Sequence, residues 1–344
     1  MSQYAHLSQV DPELPQLPGN ADPLPADYIP MLKQMMSNVT VDRTGLPADS
    51  TYTVQNRTIA VEDGEIAIRT ITPTPLAGED PEYPVLVFFH GGGFVAGDIE
   101  LDDVNLKILS VELRLATVNV DYRLAPEFPF PAGINDCYTA LKWTVENCKA
   151  IHGSLSKGFI VGGISAGGNL TAAVTHRSLK DPFFEKHKIT GNLLQIPALV
   201  HPAACPPEYA SELLSWAQNA EAPILGKAQM DLFYGNSRTF LDPIQHYIRI
   251  DCLNGPPAHP DISPLLANHT GLPPAYIQIC GLDPLRDEGL LYERLLREQG
   301  VPTRLDIYPG VPHGFHGSAP TMTAAKKWKV DMRAGLKWIL AQKL

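Results

Sequence analysis

Short apolar runs alternate with amphipathic stretches along most of the chain. Eight runs predict strands, and the central ones are almost continuously apolar, as in parallel strands buried on both faces. The predicted strands are residues 51–61, 65–71, 85–89, 116–120, 159–164, 193–200, 275–280 and 303–308. Helical spacing of apolar residues predicts helices over residues 102–115, 133–148, 167–179, 287–299 and 321–340. This alternation predicts an α/β fold with a mostly parallel sheet flanked by helices.

Two segments lack this alternation. The first, residues 1–50, is rich in proline and aspartate. Four of its apolar residues are spaced as on one face of a short helix, and that face needs a partner surface. Those residues are Tyr28, Leu32, Met35 and Met36. The second contains only two short helical patterns, over residues 211–217 and 227–234, and no predicted strand. We expect both segments to form a helical cap. The expected division is residues 1–50 and 205–255 for the cap, and residues 51–204 and 256–344 for the core.

The composition excludes several classes of partner. The chain has 344 residues, 44% of them hydrophobic, which is enough for a sizeable core. Its formal net charge is −10. The acidic residues are scattered along the chain, and no run of basic residues occurs. Such a surface argues against nucleic acid and against anionic membranes as partners. We therefore expect a small molecule as the partner, while the choice between a monomer and a homodimer stays open.

Cysteine usage and the first residues bear on location. The five cysteines are odd in number and lack a Cys-x-x-Cys pair, which favours free thiols over disulfides or a zinc site. They are Cys137, Cys148, Cys205, Cys252 and Cys280. Residues 1–30 lack the basic and apolar regions of a signal peptide, and no apolar run approaches a membrane span. We expect a cytoplasmic protein with no membrane span and no metal site.

A candidate nucleophile lies in the motif Gly163-Ile164-Ser165-Ala166-Gly167. The motif follows a predicted strand and opens a predicted helix, so Ser165 sits at a sharp turn that glycine flanks permit. Its hydroxyl would then stand clear of the sheet, near the positive end of the helix dipole. An ordinary Gly-Ser turn is the alternative, and the strand-to-helix context favours the nucleophile.

A glycine run follows the predicted strand at residues 85–89. It reads His90-Gly91-Gly92-Gly93, and a flexible loop is the alternative interpretation. At the carboxyl edge of a sheet, glycines let backbone N–H groups approach a substrate closely enough to bind an oxyanion. We assign this role to Gly92, Gly93 and the N–H group of Ala166. His90 and Gly91 are expected to support the loop.

The candidate acid and base follow the last two predicted strands. Asp283 comes just after the strand ending at residue 280, whereas Asp287 and Glu288 sit where acids cap a helix N-terminus. His313 lies on the loop after the last strand, and His316 is interpreted as a surface or supporting histidine. Four further histidines fall in loop-like segments and are interpreted as surface residues. They are His6, His152, His259 and His269.

Together these motifs resemble the hormone-sensitive-lipase-like family of α/β-hydrolases, over about residues 80 to 335. They are residues 90–94, 121–127, 163–169, 283–287 and 313–315. The order serine, acid, histidine is also that of this fold. The resemblance implies a triad of Ser165, Asp283 and His313, an oxyanion hole from the glycines and Ala166, and a cap. It further implies hydrolysis of small carboxylic esters without a cofactor, through an acyl-enzyme on Ser165.

Two other functions compete with a serine carboxylesterase. A non-catalytic ligand receptor on the same fold is disfavoured, because receptors resembling this family lack the histidine that this chain has at His313. An acyltransferase or a lactone or thioester hydrolase would use the same triad with another acceptor or substrate. The acyl and alcohol preferences depend on the cap. Its candidate pocket residues are Met35, Met36, Trp216, Phe233 and Tyr234.

Overall fold

The computed structural model describes most of the chain. It covers residues 3–17, 19, 24–25, 27–38, 42–234, 238–239, 248–249 and 252–342. For residues 238–239 and 248–249 only the backbone pairing is described. Parts of both predicted cap segments therefore lie outside the described residues.

The strands of the described chain form one large sheet and one small ribbon. They are β1 (Tyr52–Val61), β2 (Gly64–Pro73), β3 (Val85–Phe89), β4 (Ala116–Asp121), β5 (Phe159–Ile164), β6 (Gly191–Gln195), β7 (Arg238–Thr239), β8 (Ile248–Arg249), β9 (Ala275–Leu282) and β10 (Thr303–Pro312). The large sheet has eight strands in the order β1-β2-β4-β3-β5-β6-β9-β10. Strand β2 pairs antiparallel with β1 and β4, whereas every other pairing in the large sheet is parallel. The predicted α/β fold with a mostly parallel eight-stranded sheet is confirmed.

Helices cover the sheet, and shorter ones lie in the two predicted cap segments. They are α1 (Tyr28–Ser37), α2 (Asp103–Leu113), α3 (Ala132–Glu146), α4 (Ala166–Ser178), α5 (Ser215–Gln218), α6 (Lys227–Phe233), α7 (Arg286–Glu298), α8 (Phe315–Ser318) and α9 (Thr323–Ala341). Strands β3 and β6 are buried along their whole length, because helices pack on both sheet faces. Edge strand β1 is largely exposed, and its pattern is correspondingly polar.

The parallel strands bring the candidate residues to one edge of the sheet. Ser165 follows β5, the glycine run follows β3, and Asp283 and His313 lie just after β9 and β10. Parallel strands all end at the same edge, so residues far apart in the sequence converge there. The sheet topology thus accounts for the place of the candidate site.

Two predicted strand features are wrong. Strand β6 ends at Gln195, although the apolar run that predicts it continues to residue 200. Ile196 has a positive φ of 40°, and Pro197 has no N–H group to continue the ladder. The second cap segment, predicted to lack strands, contains the two-residue strands β7 and β8, which pair with each other.

Three further predictions need correction. The helix-face pattern predicts that Met35 is buried, but it is 62% exposed, whereas Tyr28, Leu32 and Met36 are partly buried. His269 is not on the surface: it is buried, and its Nδ1 lies 3.4 Å from a histidine of α4, His176. The helical pattern over residues 211–217 becomes the four-residue helix α5.

Candidate active site

Ser165 lies at the junction of β5 and α4. Its backbone has φ 57° and ψ −115°, a strained positive-φ conformation typical of a nucleophile turn. The turn is tight: a Cβ atom on Gly163 would lie 2.2 Å from the carbonyl oxygen of Gly167. The N–H group of Ser165 donates to the carbonyl oxygen of Gln195 at 2.8 Å, which ties the turn to β6. The glycine flanks therefore permit this conformation, and the contact with β6 holds it.

Ser165, His313 and Asp283 form a continuous hydrogen-bonded chain. The Ser165 Oγ atom lies 2.8 Å from His313 Nε2, and His313 Nδ1 lies 2.7 Å from Asp283 Oδ2. Because a carboxylate only accepts, Nδ1 carries the proton and Nε2 is left to accept the serine hydroxyl. The other oxygen, Asp283 Oδ1, accepts the N–H group of Leu285 at 2.8 Å. The structure thus brings together the three residues of the predicted triad.

The competing acids contact other parts of the chain. Asp287 accepts the N–H groups of Leu214 and Ser215, at 3.0 and 2.7 Å, so it binds the second cap segment. Glu288 accepts the N–H group of Leu199 at 2.5 Å. The sequence suggests that these acids cap their own helix, whereas these contacts are with N–H groups from other parts of the chain.

His316 has a different environment from His313. Its ring stacks on Trp328 with centroids 4.6 Å apart, and burial lowers its pKa to about 3. An imidazole that stays neutral against an indole ring is a packing group. This position agrees with a supporting role.

The glycine run lies against the nucleophile turn. Gly92 and Gly93 have φ values of 123° and 63°, which favour glycine. A Cβ atom on Gly91 would lie 3.5 Å from the Ser165 Cβ atom. Ala166 is the first residue of α4, so its N–H group has no partner within the helix. The predicted oxyanion donors therefore lie on two turns that touch each other.

Residues after β4 support the glycine run. The Tyr122 hydroxyl donates to the carbonyl oxygen of His90 at 2.9 Å, and the Ala125 N–H group donates to that of Phe94. His90 donates from Nδ1 to the carbonyl oxygen of Gly91 at 2.7 Å, and its ring stacks on Tyr122. Burial lowers the pKa of His90 to about 4, so it stays neutral. The sequence motif contains Tyr122, but nothing in the motif indicates this contact with the glycine run.

The two predicted cap segments meet beside the glycine run. A Cβ atom on Gly93 would lie 2.6 Å from the ring of Phe233, at the end of α6. Tyr28 of α1 is a hydrogen-bond partner of Gln229 in α6. Leu32 and Met36 pack against the apolar cluster that includes Phe233. Helices α1 and α6 are thus linked through Tyr28 and Gln229, and α6 lies next to the candidate oxyanion donors through Phe233.

Glu288 gives a testable pH dependence of stability. Burial raises the pKa of its carboxyl group to about 8, outweighing N–H donors that favour the anion. The folded state then holds a proton that the unfolded state loses, so the free energy of unfolding falls between about pH 5 and about pH 8. Glu288→Gln should flatten this fall, measured as Tm against pH. Glu298→Gln, at an exposed position of the same helix, is the control, and an unchanged slope in Glu288→Gln would contradict the argument.

The described residues offer neither a metal site nor a membrane span. No group of three or more histidine, cysteine, aspartate or glutamate side chains in the described part of the chain is arranged to hold a metal ion. No helix among the same residues is long and apolar enough to cross a membrane.

Comparisons with known proteins identify the family. Residues 86–317 match the family model described as the alpha/beta hydrolase fold. The versiconal hemiacetal acetate esterase of Dothistroma septosporum is 34% identical over 270 residues, 78% of this chain and 76% of that protein. The carboxylesterase NlhH of Mycobacterium tuberculosis is 34% identical over 276 residues, 79% of this chain and 78% of that protein.

A solved structure extends the likeness over almost the whole chain. Vibralactone cyclase superposes with a TM-score of 0.84 at 36% identity, covering 98% of this chain and 96% of its own. Fold, family model and esterase relatives agree with one another. The chain belongs to the hormone-sensitive-lipase-like family of α/β-hydrolases and is a carboxylic ester hydrolase.

Proposed function

We propose that this enzyme hydrolyses small carboxylic esters through an acyl-enzyme on Ser165. The observation that carries the proposal is the hydrogen-bonded chain from Ser165 Oγ through His313 to Asp283, at 2.8 and 2.7 Å. A serine hydroxyl is a weak nucleophile until an adjacent base accepts its proton. The esterase relatives support the same substrate class.

The reaction follows from these contacts. His313 Nε2 takes the proton of Ser165 as Oγ attacks the ester carbonyl carbon, and the carbonyl oxygen becomes an oxyanion. The N–H groups of Gly92, Gly93 and Ala166 stabilise that charge. The imidazolium then protonates the leaving alcohol, and the acyl group stays on Oγ. Water, deprotonated by His313, then attacks the acyl carbon, and the imidazolium, stabilised by Asp283, returns the proton to Ser165 Oγ as the bond between Oγ and the acyl group breaks and the acid leaves.

We also propose that residues 1–50 and 205–255 provide the cap. The contact between Tyr28 of α1 and Gln229 of α6, and that between Phe233 and Gly93, support this role for their described parts. The residues before α1 contribute to the core as well. Leu7 is buried, and the Asp11 N–H group donates to the carbonyl oxygen of Gly310 in β10.

Chain-length dependence and covalent labelling test the proposed function together. We expect hydrolysis of p-nitrophenyl esters, measured from acetate to palmitate, with efficiency falling for the longest acyl chains as the cap limits the space. A fluorophosphonate should inactivate the enzyme at one label per chain, on the peptide that contains Ser165. Full activity after complete labelling, or a label on another residue, would contradict the proposal.

Lactone chemistry is a second candidate, favoured by the likeness to vibralactone cyclase. The same acyl-enzyme can pass its acyl group to a hydroxyl of the substrate instead of water, which closes a lactone. Product analysis with a hydroxy-acyl ester distinguishes the two, because hydrolysis yields the free acid and cyclisation yields the lactone.

A further inference from the structure

Helix α5 of the second cap segment lies on the turn that carries Asp283. Ser215 Oγ donates to the carbonyl oxygen of Pro284 at 2.6 Å and accepts the N–H group of Asp287 at 3.1 Å. The next residue, Trp216, donates from Nε1 to Glu288 at 3.1 Å. Consecutive residues of α5 therefore bind the turn over residues 283–285, called the acid turn below, and the start of α7.

Asn219, directly after α5, contacts the backbone of the acid itself. Its Nδ2 donates to the main-chain carbonyl oxygen of Asp283 at 2.9 Å and to that of Gly281 at 3.4 Å. Ser215 and Asn219 are both buried, at 1% and 2% exposure. The hydroxyl and amide donors of these two side chains are both spent on main-chain carbonyl oxygens of residues 281–284.

Helix α6 has different contacts. Phe233 packs on Gly93 of the candidate oxyanion run, and Gln229 partners Tyr28 of α1. The described part of the second cap segment therefore contacts the site at two places. One is the acid turn, through α5, and the other is the oxyanion run, through α6.

We propose that Ser215 and Asn219 are positioning residues that hold Asp283 against His313, while α6 limits the substrate. This inference rests on the proposed triad. The 2.7 Å bond between Asp283 Oδ2 and His313 Nδ1 requires the acid turn to keep its place. A displacement of about 1 Å in such a group costs about a hundredfold in rate. Loss of these contacts should therefore lower kcat and leave KM unchanged.

The test compares matched variants on p-nitrophenyl acetate and hexanoate. Ser215→Ala removes the hydroxyl and Ser215→Thr keeps it, while Asn219→Ala removes the amide donor without adding a charge. Ala217→Ser, at an exposed position of the same helix, is the control. We expect kcat to fall about tenfold to a hundredfold in Ser215→Ala and Asn219→Ala, with KM unchanged for both esters. Ser215→Thr should recover activity, and Phe233→Leu should change the ratio of KM values between the esters.

Complete fluorophosphonate titration gives the number of folded sites, so kcat per labelled site is independent of partial unfolding. Wild-type kcat per site in both Ser215→Ala and Asn219→Ala would overturn the positioning role. A rise in KM for hexanoate alone in these variants would overturn it too, since α5 would then be a substrate wall. Failure of the triad itself is distinguishable, because Ser165→Ala would then remain active.

Discussion

Ser165→Ala is expected to reduce turnover of p-nitrophenyl acetate about a millionfold, to the detection limit of the assay. The substitution removes the atom that carries the proposed acyl group, Ser165 Oγ, which lies 2.8 Å from His313 Nε2. The fold should persist, because the close packing of Gly163 and Gly167, and not the hydroxyl, sets the turn. Tm and steady-state turnover measure the two effects separately.

The control for this variant is structural. A Ser165→Ala protein with wild-type Tm and no turnover supports the assignment. A well-folded Ser165→Ala protein that retains normal turnover would show that another residue carries the chemistry.

His313→Ala is expected to cost about as much as Ser165→Ala, because the residues of a triad act as a unit. His316→Ala should lose far less turnover, since His316 stacks on Trp328 and is not part of the chain from Ser165 to Asp283. His313 lies just before α8 and His316 lies within it, so the two substitutions change the same residue type in the same segment. Turnover per folded enzyme is the measurement, and the reverse ranking would mean that the base is wrongly assigned.

The sheet could be predicted from the sequence because each strand is a short apolar run between turn signals. The predicted bounds of most strands of the large sheet agree closely with the structure, and the overprediction of β6 shows where the pattern fails. Leu199 and Val200 lie beyond the end of that strand and are buried in an apolar cluster. They are apolar because they pack in the core, and not because they belong to a strand. Hydrophobicity alone cannot tell these two environments apart.

The proposed triad could be predicted because each of its residues follows a strand of a parallel sheet, and topology brings the strand ends together. The contacts that residues 205–255, the second predicted cap segment, make with this site could not. Asp287 and Glu288 look like helix-capping acids in the sequence, yet their oxygens accept N–H groups from residues 72 and 89 positions away. Ser215 and Asn219 carry no local motif, so their contacts with the acid turn become visible only in three dimensions.

The most direct test of the proposed mechanism is to trap the acyl-enzyme. Enzyme mixed with a p-nitrophenyl ester, quenched in acid within the first turnover and digested, should carry the mass of one acyl group on the peptide containing Ser165. Ser165→Ala treated in the same way should carry none. An acyl group on another residue, or turnover by the wild-type enzyme with no acylated peptide at any quench time, would contradict the mechanism.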